Sequence, residues 1–267
     1  MDLLTIACER DYLQVLIQAK SIQKFVQPCR HWIVVNETGT NHKMWEDALA
    51  PFYDKHELKL IFAEDDPLQP QGWYKGWIKQ QMWKFIMVKY IKQDYILFDS
   101  KCFFIAPTDT STWTHEGSGI IIDTEINKDS AATWRACNYG YARALNMPMM
   151  QKYYSPEDPY VIKADLMYKI IDRPDWCEWF FYNFYDHCEC ILYSNYLNLE
   201  GHEFKEDRKH NIFWPGTPWK DLRGSGLSSA GLHHQWLERA SVEDKKLAEE
   251  YLNELGLLDP NTRRIFD

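Results

Sequence analysis

Four short, nearly continuous apolar runs in the first hundred residues constrain this chain more than any other feature: Leu3-Leu4-Thr5-Ile6-Ala7, Trp32-Ile33-Val34-Val35, Leu58-Lys59-Leu60-Ile61-Phe62 and Tyr95-Ile96-Leu97-Phe98. A strand with one face in water alternates apolar and polar residues, whereas a continuous run marks a strand buried on both faces, as in a parallel sheet covered by helices. Between the first two runs, Leu13, Leu16, Ile17, Ile22, Phe25 and Val26 recur at helical spacing until Pro28. Ahead of the fourth run, residues 73–91 carry Trp77, Ile78, Met82, Phe85 and Ile86 at the same spacing. Strands alternating with helices predict βαβ units, and so an α/β fold with a Rossmann-like, mostly parallel sheet flanked by helices.

Beyond residue 107 the alternation breaks down. Ile120-Ile121-Ile122 reads as a strand, residues 130–154 as irregular or helical, and residues 175–197 as an aromatic-rich helical region. Pro215, Pro218, Gly224, Gly226 and Gly231 mark a loop-rich stretch. Ser241-Val-Glu-Asp244 predicts the capped start of a last helix, with Leu247, Ala248, Tyr251, Leu252 and Leu255 on one face. A length of 267 residues is near the upper size for one compact core, so a single domain with C-terminal helical and loop additions is expected.

The formal charge of -9, from 30 basic against 39 acidic residues, offers no basic footprint for nucleic acid. No apolar run approaches the about 20 residues of a membrane helix, and the first residues lack a basic, cleavable leader pattern, so a cytoplasmic protein is expected. The seven cysteines form no CxxC pair, which argues against a disulfide framework and a zinc knuckle. Twelve Trp, 16 Tyr and 13 Phe fit a bulky core, and also rings that stack on a flat ligand such as a base or sugar.

No P-loop, dinucleotide, zincin or nucleophile-elbow string occurs in the chain. What remains is polar residues at strand ends. Open parallel sheets bind ligands beyond the carboxyl ends of their strands, so residues 8–11, Asn36-Glu37 and residues 99–101 converge on one crevice if their strands are neighbours.

Two motifs sharpen this reading. Gln71-Gly-Trp-Tyr-Lys-Gly-Trp-Ile-Lys-Gln80-Gln81-Met-Trp-Lys84 precedes Asp94-Tyr-Ile-Leu-Phe-Asp99-Ser-Lys101, and Glu189-Cys-Ile-Leu-Tyr193-Ser-Asn195-Tyr196-Leu197 follows later. Together they resemble a family of bacterial and phage glycosyltransferase-like proteins of the GT-A fold, over most of the chain as far as the His233-His234 segment. The resemblance implies transfer of a sugar from a nucleotide-sugar donor to a saccharide or other hydroxyl acceptor. It divides the single domain into a nucleotide-binding half (1–107), an acceptor-side half (108–240) and a C-terminal helix and tail (241–267). It implies that Thr5, Glu9, Arg10, Asn36, Gln81, Lys84 and Asp99 bind the nucleotide, and that Glu189 is the acceptor-side base. His233-His234 read as the end of a late strand, with His234 the one facing the site. The family's motif ends in a second Asp where this chain has Lys101. That carboxylate would ligate Mn²⁺ or Mg²⁺, so metal dependence through Asp99 and His234 stands beside the alternative that the Lys101 ammonium is itself the catalytic cation. A catalytically inactive nucleotide- or sugar-binding protein is a second alternative, and an interaction protein a third. A nucleotidyltransferase needs paired carboxylates for two metals, which Asp99-Ser-Lys101 does not supply.

Overall fold

The computed structural model describes residues 1–70, 76–113, 121–123, 132–150, 152–154, 159–183, 189–202, 210–213, 222 and 225–266. In chain order its first half contains β1 (Asp2–Ala7), α1 (Tyr12–Phe25), β2 (Arg30–Val35), α2 (His42–Leu49), β3 (Glu57–Phe62), α3 (Gly76–Ile86), α4 (Val88–Ile91), β4 (Tyr95–Leu97) and β5 (Cys102–Phe104). There follow β6 (Ile121–Asp123), α5 (Ala132–Ala144), β7 (Lys152–Tyr154), β8 (Tyr160–Ile162), α6 (Ala164–Ile171), α7 (Trp176–Asn183) and α8 (Glu189–Leu199). The last elements are β9 (His210–Phe213), β10 (Ser229–Leu232), α9 (His234–Arg239) and α10 (Val242–Glu254).

All four apolar runs become strands of one sheet, ordered β3-β2-β1-β4-β8. The first three pairings are parallel, with Leu3 opposite His31 and Ala7 opposite Val35 on one side of β1, and Asp2 opposite Tyr95 on the other. Because successive side chains point to opposite faces, β1 serves two cores at once. Leu4 and Ile6 pack with Met82, Trp83 and Phe85 of α3, Leu166 and Met167 of α6, and Ile191 and Leu192 of α8. On the opposite face, Leu3 packs with Ile22 of α1, and Ala7 with Val15, Leu16, Trp45 and Leu49 from α1 and α2. The result is three layers, helix on sheet on helix.

The chain builds β1, β2 and β3 outward in one direction and then crosses back to lay β4 on the other side of β1. The crevice at such a reversal opens between the carboxyl ends of β1 and β4. A smaller sheet, β5-β10-β9, adjoins it, with β5 antiparallel to β10. Its core joins Ile17 of α1 to Trp236, Ala248, Leu252 and Leu257, so the C-terminal helix covers α1 and the small sheet. As the Ser241 reading predicts, that hydroxyl accepts the Asp244 N–H at the start of α10.

Several expectations are corrected. The helix over residues 73–91 begins among the described residues at Gly76 and is divided at Met87, although Met87 N–H still bonds Trp83 O and Ile91 N–H bonds Met87 O across the division. The strands β5, β7, β8 and β9, of three or four residues each, were not legible, since runs that short carry no readable period, and β7 closes as a strand the stretch 130–154 expected to be irregular or helical. The late strand stops at Leu232; His233 caps α9 through its ring nitrogen and His234 is the first helical residue. Gln71 to Lys75 of the first motif, Cys188, Pro215, Pro218 and Gly224 lie outside the described residues.

Candidate functional site

The order β2-β1-β4 brings the three polar strand ends together, as the conditional reading required. Asn36 N–H bonds Ala7 O at 2.7 Å, and Phe98 N–H bonds Leu4 O at 2.8 Å, so residues 8–11, 36–37 and 99–101 leave the sheet side by side. After β1 the chain makes a tight turn, Glu9–Asp11, that leaves Glu9 and Arg10 exposed and buries Asp11. Asn36 is half-buried and its side-chain amide holds Gly76 O at 2.8 Å, anchoring the start of α3 over the crevice edge. Glu37 accepts the Glu9 N–H at 3.1 Å.

The centre of the site is the turn after β4. Asp99 Oδ1 accepts from Lys101 Nζ at 3.0 Å and from the Lys101 N–H at 3.1 Å. Burial alone would push the Asp99 carboxyl up, but the Lys101 and Lys84 charges and the Lys101 hydrogen bonds overcome it and hold the group at about 2. Ser100 Oγ donates to Asp11 Oδ2 at 3.0 Å, tying this turn to the one after β1. From the other side, Leu232 N–H bonds Lys101 O at 3.0 Å and places His233 and His234 next to it. The two imidazoles lie 4.2 Å apart, centre to centre. Burial first, then the Lys101 ammonium, lowers His233 to about 3; burial and the Arg10 and Lys101 charges also lower His234. Both rings are therefore neutral near pH 7 inside a positive field. His234 Nδ1 is buried without a hydrogen-bond partner among the described residues.

Several expected site residues are enclosed instead. Thr5 is fully buried, and its hydroxyl lies 2.8 Å from Gln18 Oε1, 2.8 Å from Phe98 O and 2.9 Å from His31 Nε2. It is a link in an interior network on the α1 face of the sheet, below the crevice rather than in the loop where the nucleotide was expected. Lys84, Gln81 and Glu189 are likewise buried. Lys84 Nζ lies 2.5 Å from Glu189 Oε1 and 3.3 Å from Gln81 Oε1, and Tyr160 donates to the same Glu189 oxygen at 3.3 Å. A general base must reach the proton it removes. Glu189, expected as the acceptor-side base, is committed to the Lys84 ammonium in the interior, where the pair joins α3 to α8.

Sequence reasoning missed the residues that support the turn. Gln18, completely buried, donates through Nε2 to Asp99 O at 2.8 Å and to Cys102 O at 3.0 Å. Gln14 donates to Leu232 O at 2.9 Å. The signal was available: Gln14, Gln18 and Ser21, spaced by four and three residues, form a polar row beside the apolar stripe of α1 and are all buried. Asp11, the anchor for Ser100, fell within the strand-end segment 8–11 expected at the crevice, but was given no role of its own.

No protein-family model matches the chain. No curated protein matches it in sequence. Among solved structures the chain is similar to the galactosyltransferase LgtC in complex with donor and acceptor sugar analogs, with 12% identity, 99% of this chain and 100% of that chain covered, and a TM-score of 0.57. The fold is thus the Rossmann-like GT-A fold, a mostly parallel sheet flanked by helices. No helix among the described residues is long and apolar enough to cross a membrane.

Proposed function

We propose that the protein is a glycosyltransferase that moves a sugar from a nucleotide-sugar donor to an acceptor hydroxyl, with the donor in the crevice between β1 and β4. The observation that carries this reading is the convergence of Arg10, Asp99, Lys101 and the His233-His234 pair at the strand ends where the sheet reverses direction. The fold shared with a galactosyltransferase supports it. Glu9 and Asn36, on the rim, suit the hydroxyls of a ribose or base edge. Arg10 and Lys101 suit the phosphates. In the transfer the bond from the sugar's anomeric carbon to phosphate oxygen breaks, and the nucleotide leaves with its electron pair. The acceptor oxygen forms the new bond and gives up its proton to the departing phosphate, and fixed cations at that phosphate lower the barrier.

The enclosure of Glu189 favours a second reading, a protein that binds a nucleotide-sugar without turnover, because the residue expected to activate the acceptor is buried and paired with Lys84. Incubation with UDP-, GDP-, CMP- and dTDP-sugars, followed by assay of released nucleotide and by thermal denaturation, separates the two. Release of nucleotide from one donor is the expected result. A raised melting temperature without release would establish the binding protein, and no response to any donor would sink both readings.

A further inference from the structure

The GT-A resemblance implies a divalent ion held by the Asp99 segment, and the residues present do not fit one. Mg²⁺ and Mn²⁺ take oxygen ligands, and an ammonium has no lone pair to offer. Lys101, where the family motif carries its second carboxylate, turns its Nζ onto Asp99 Oδ1 at 3.0 Å, and its own N–H occupies the same oxygen. A metal on that oxygen would have to displace the ammonium, and one on the other Asp99 oxygen would sit beside a charge of its own sign. Among the described residues no group of three or more His, Cys, Asp or Glu side chains is placed to hold a metal ion.

We propose that Lys101, with Arg10, takes the diphosphate of a nucleoside diphosphate without any divalent cation, and that Asp99 is a positioning residue that aims Lys101 rather than a ligand to metal or ribose. The inference rests on the donor reading above. The Lys101–Asp99 pair is sheltered yet reachable, with side chains 14% and 11% exposed, so the ammonium acts where water screens it little. Its seat is braced on each side: Gln18 holds the carbonyls of Asp99 and Cys102, Ser100 is tied to Asp11, and the Lys101 carbonyl accepts from Leu232. A cation fixed before the ligand arrives needs no rearrangement when charge develops on the departing phosphate. Arg10 stands exposed in the adjoining turn, which Ser100 and Asp11 tie to the turn that carries Lys101, and the charges of Arg10 and Lys101 both act on the two histidines.

Calorimetric titration with UDP, GDP and dTDP, in excess EDTA and again with Mn²⁺, tests this. One of the three should bind equally well in both buffers. In EDTA, Lys101→Ala should weaken that binding about tenfold or more, whereas Asp99→Asn, which can still accept from Lys101 and repels phosphate less, should leave it intact. Since Lys101→Ala strands a sheltered carboxylate, the uncharged double variant Asp99→Asn/Lys101→Ala is the control for folding, and it too should lose binding. Binding that appears only with Mn²⁺, or a double variant that binds like the parent in EDTA, overturns the metal-free site while the donor reading stands. Failure of all three nucleotides in both buffers overturns the donor reading itself.

Discussion

The ring of His31 is fully buried and has both nitrogens engaged, Nε2 with Thr5 Oγ1 at 2.9 Å and Nδ1 with Tyr53 Oη at 2.7 Å. A neutral ring satisfies both, donating from Nε2 and accepting at Nδ1 from the Tyr53 hydroxyl. Burial, then the nearby His56, lowers its pKa from 6.5 to about 3. Below 6.5 the unfolded chain therefore binds a proton here that the folded protein refuses. Stability is intact above that pH and falls with acidification until the folded ring itself titrates, by about 1.4 kcal/mol per pH unit for one such group. His31→Gln removes this dependence, so urea-unfolding free energies measured from about pH 7 to about pH 5 should fall less steeply in the variant than in the parent. His233, lowered for similar reasons, contributes to both proteins alike. Equal slopes would show that His31 is not held neutral. At this scale the sequence marked Thr5 as a polar residue inside a buried strand. Its partner His31 lies on the neighbouring strand, and strand order leaves no trace in either local run.

Between elements, the Lys84–Glu189 pair, with side chains 6% and 2% exposed, joins α3 to α8. An ion pair this deep recovers its desolvation cost only while both members remain, and losing one costs about 3–5 kcal/mol. Glu189→Gln should destabilise the protein by that order in guanidinium unfolding, and the double variant Glu189→Leu/Lys84→Met should regain most of the loss. If Glu189→Gln instead keeps full stability and loses turnover, the carboxylate is the acceptor's base after all. The apolar surroundings of Glu189 were legible, and so was the exit of Asp99 from its strand. That Glu189 would meet a lysine 105 residues earlier was not, because helix periodicity tells which face is buried and says nothing of what covers it. The Ser241 cap, by contrast, was fully legible, since a cap depends on four consecutive residues.

Across the whole molecule, the C-terminal stretch closes the second core: Leu252 and Leu257 are fully buried against Ile17 and Trp236, and Lys20 of α1 is bonded to Asp259 at 2.5 Å. Leu252→Ala should cost about 2–5 kcal/mol of unfolding free energy in denaturant titration, the range for a leucine cavity in a packed core. A loss well under about 1 kcal/mol would mean that α10 is a detachable appendage. The same core lies under α9, so it also supports the two histidines at the crevice. By itself the sequence determined the type and order of the main elements of the first hundred residues, and hence a parallel sheet between helices. Burial on both faces leaves its mark residue by residue, and caps and breaks act over a single turn. Only the tertiary structure decided which polar groups share the crevice and which sink below it: Arg10, Asp99, Lys101 and His233 together, Thr5, Lys84 and Glu189 enclosed. The physical reason is that strand order and helix packing are settled by the joint fit of distant surfaces, and a residue's own neighbours in the chain carry no record of that fit.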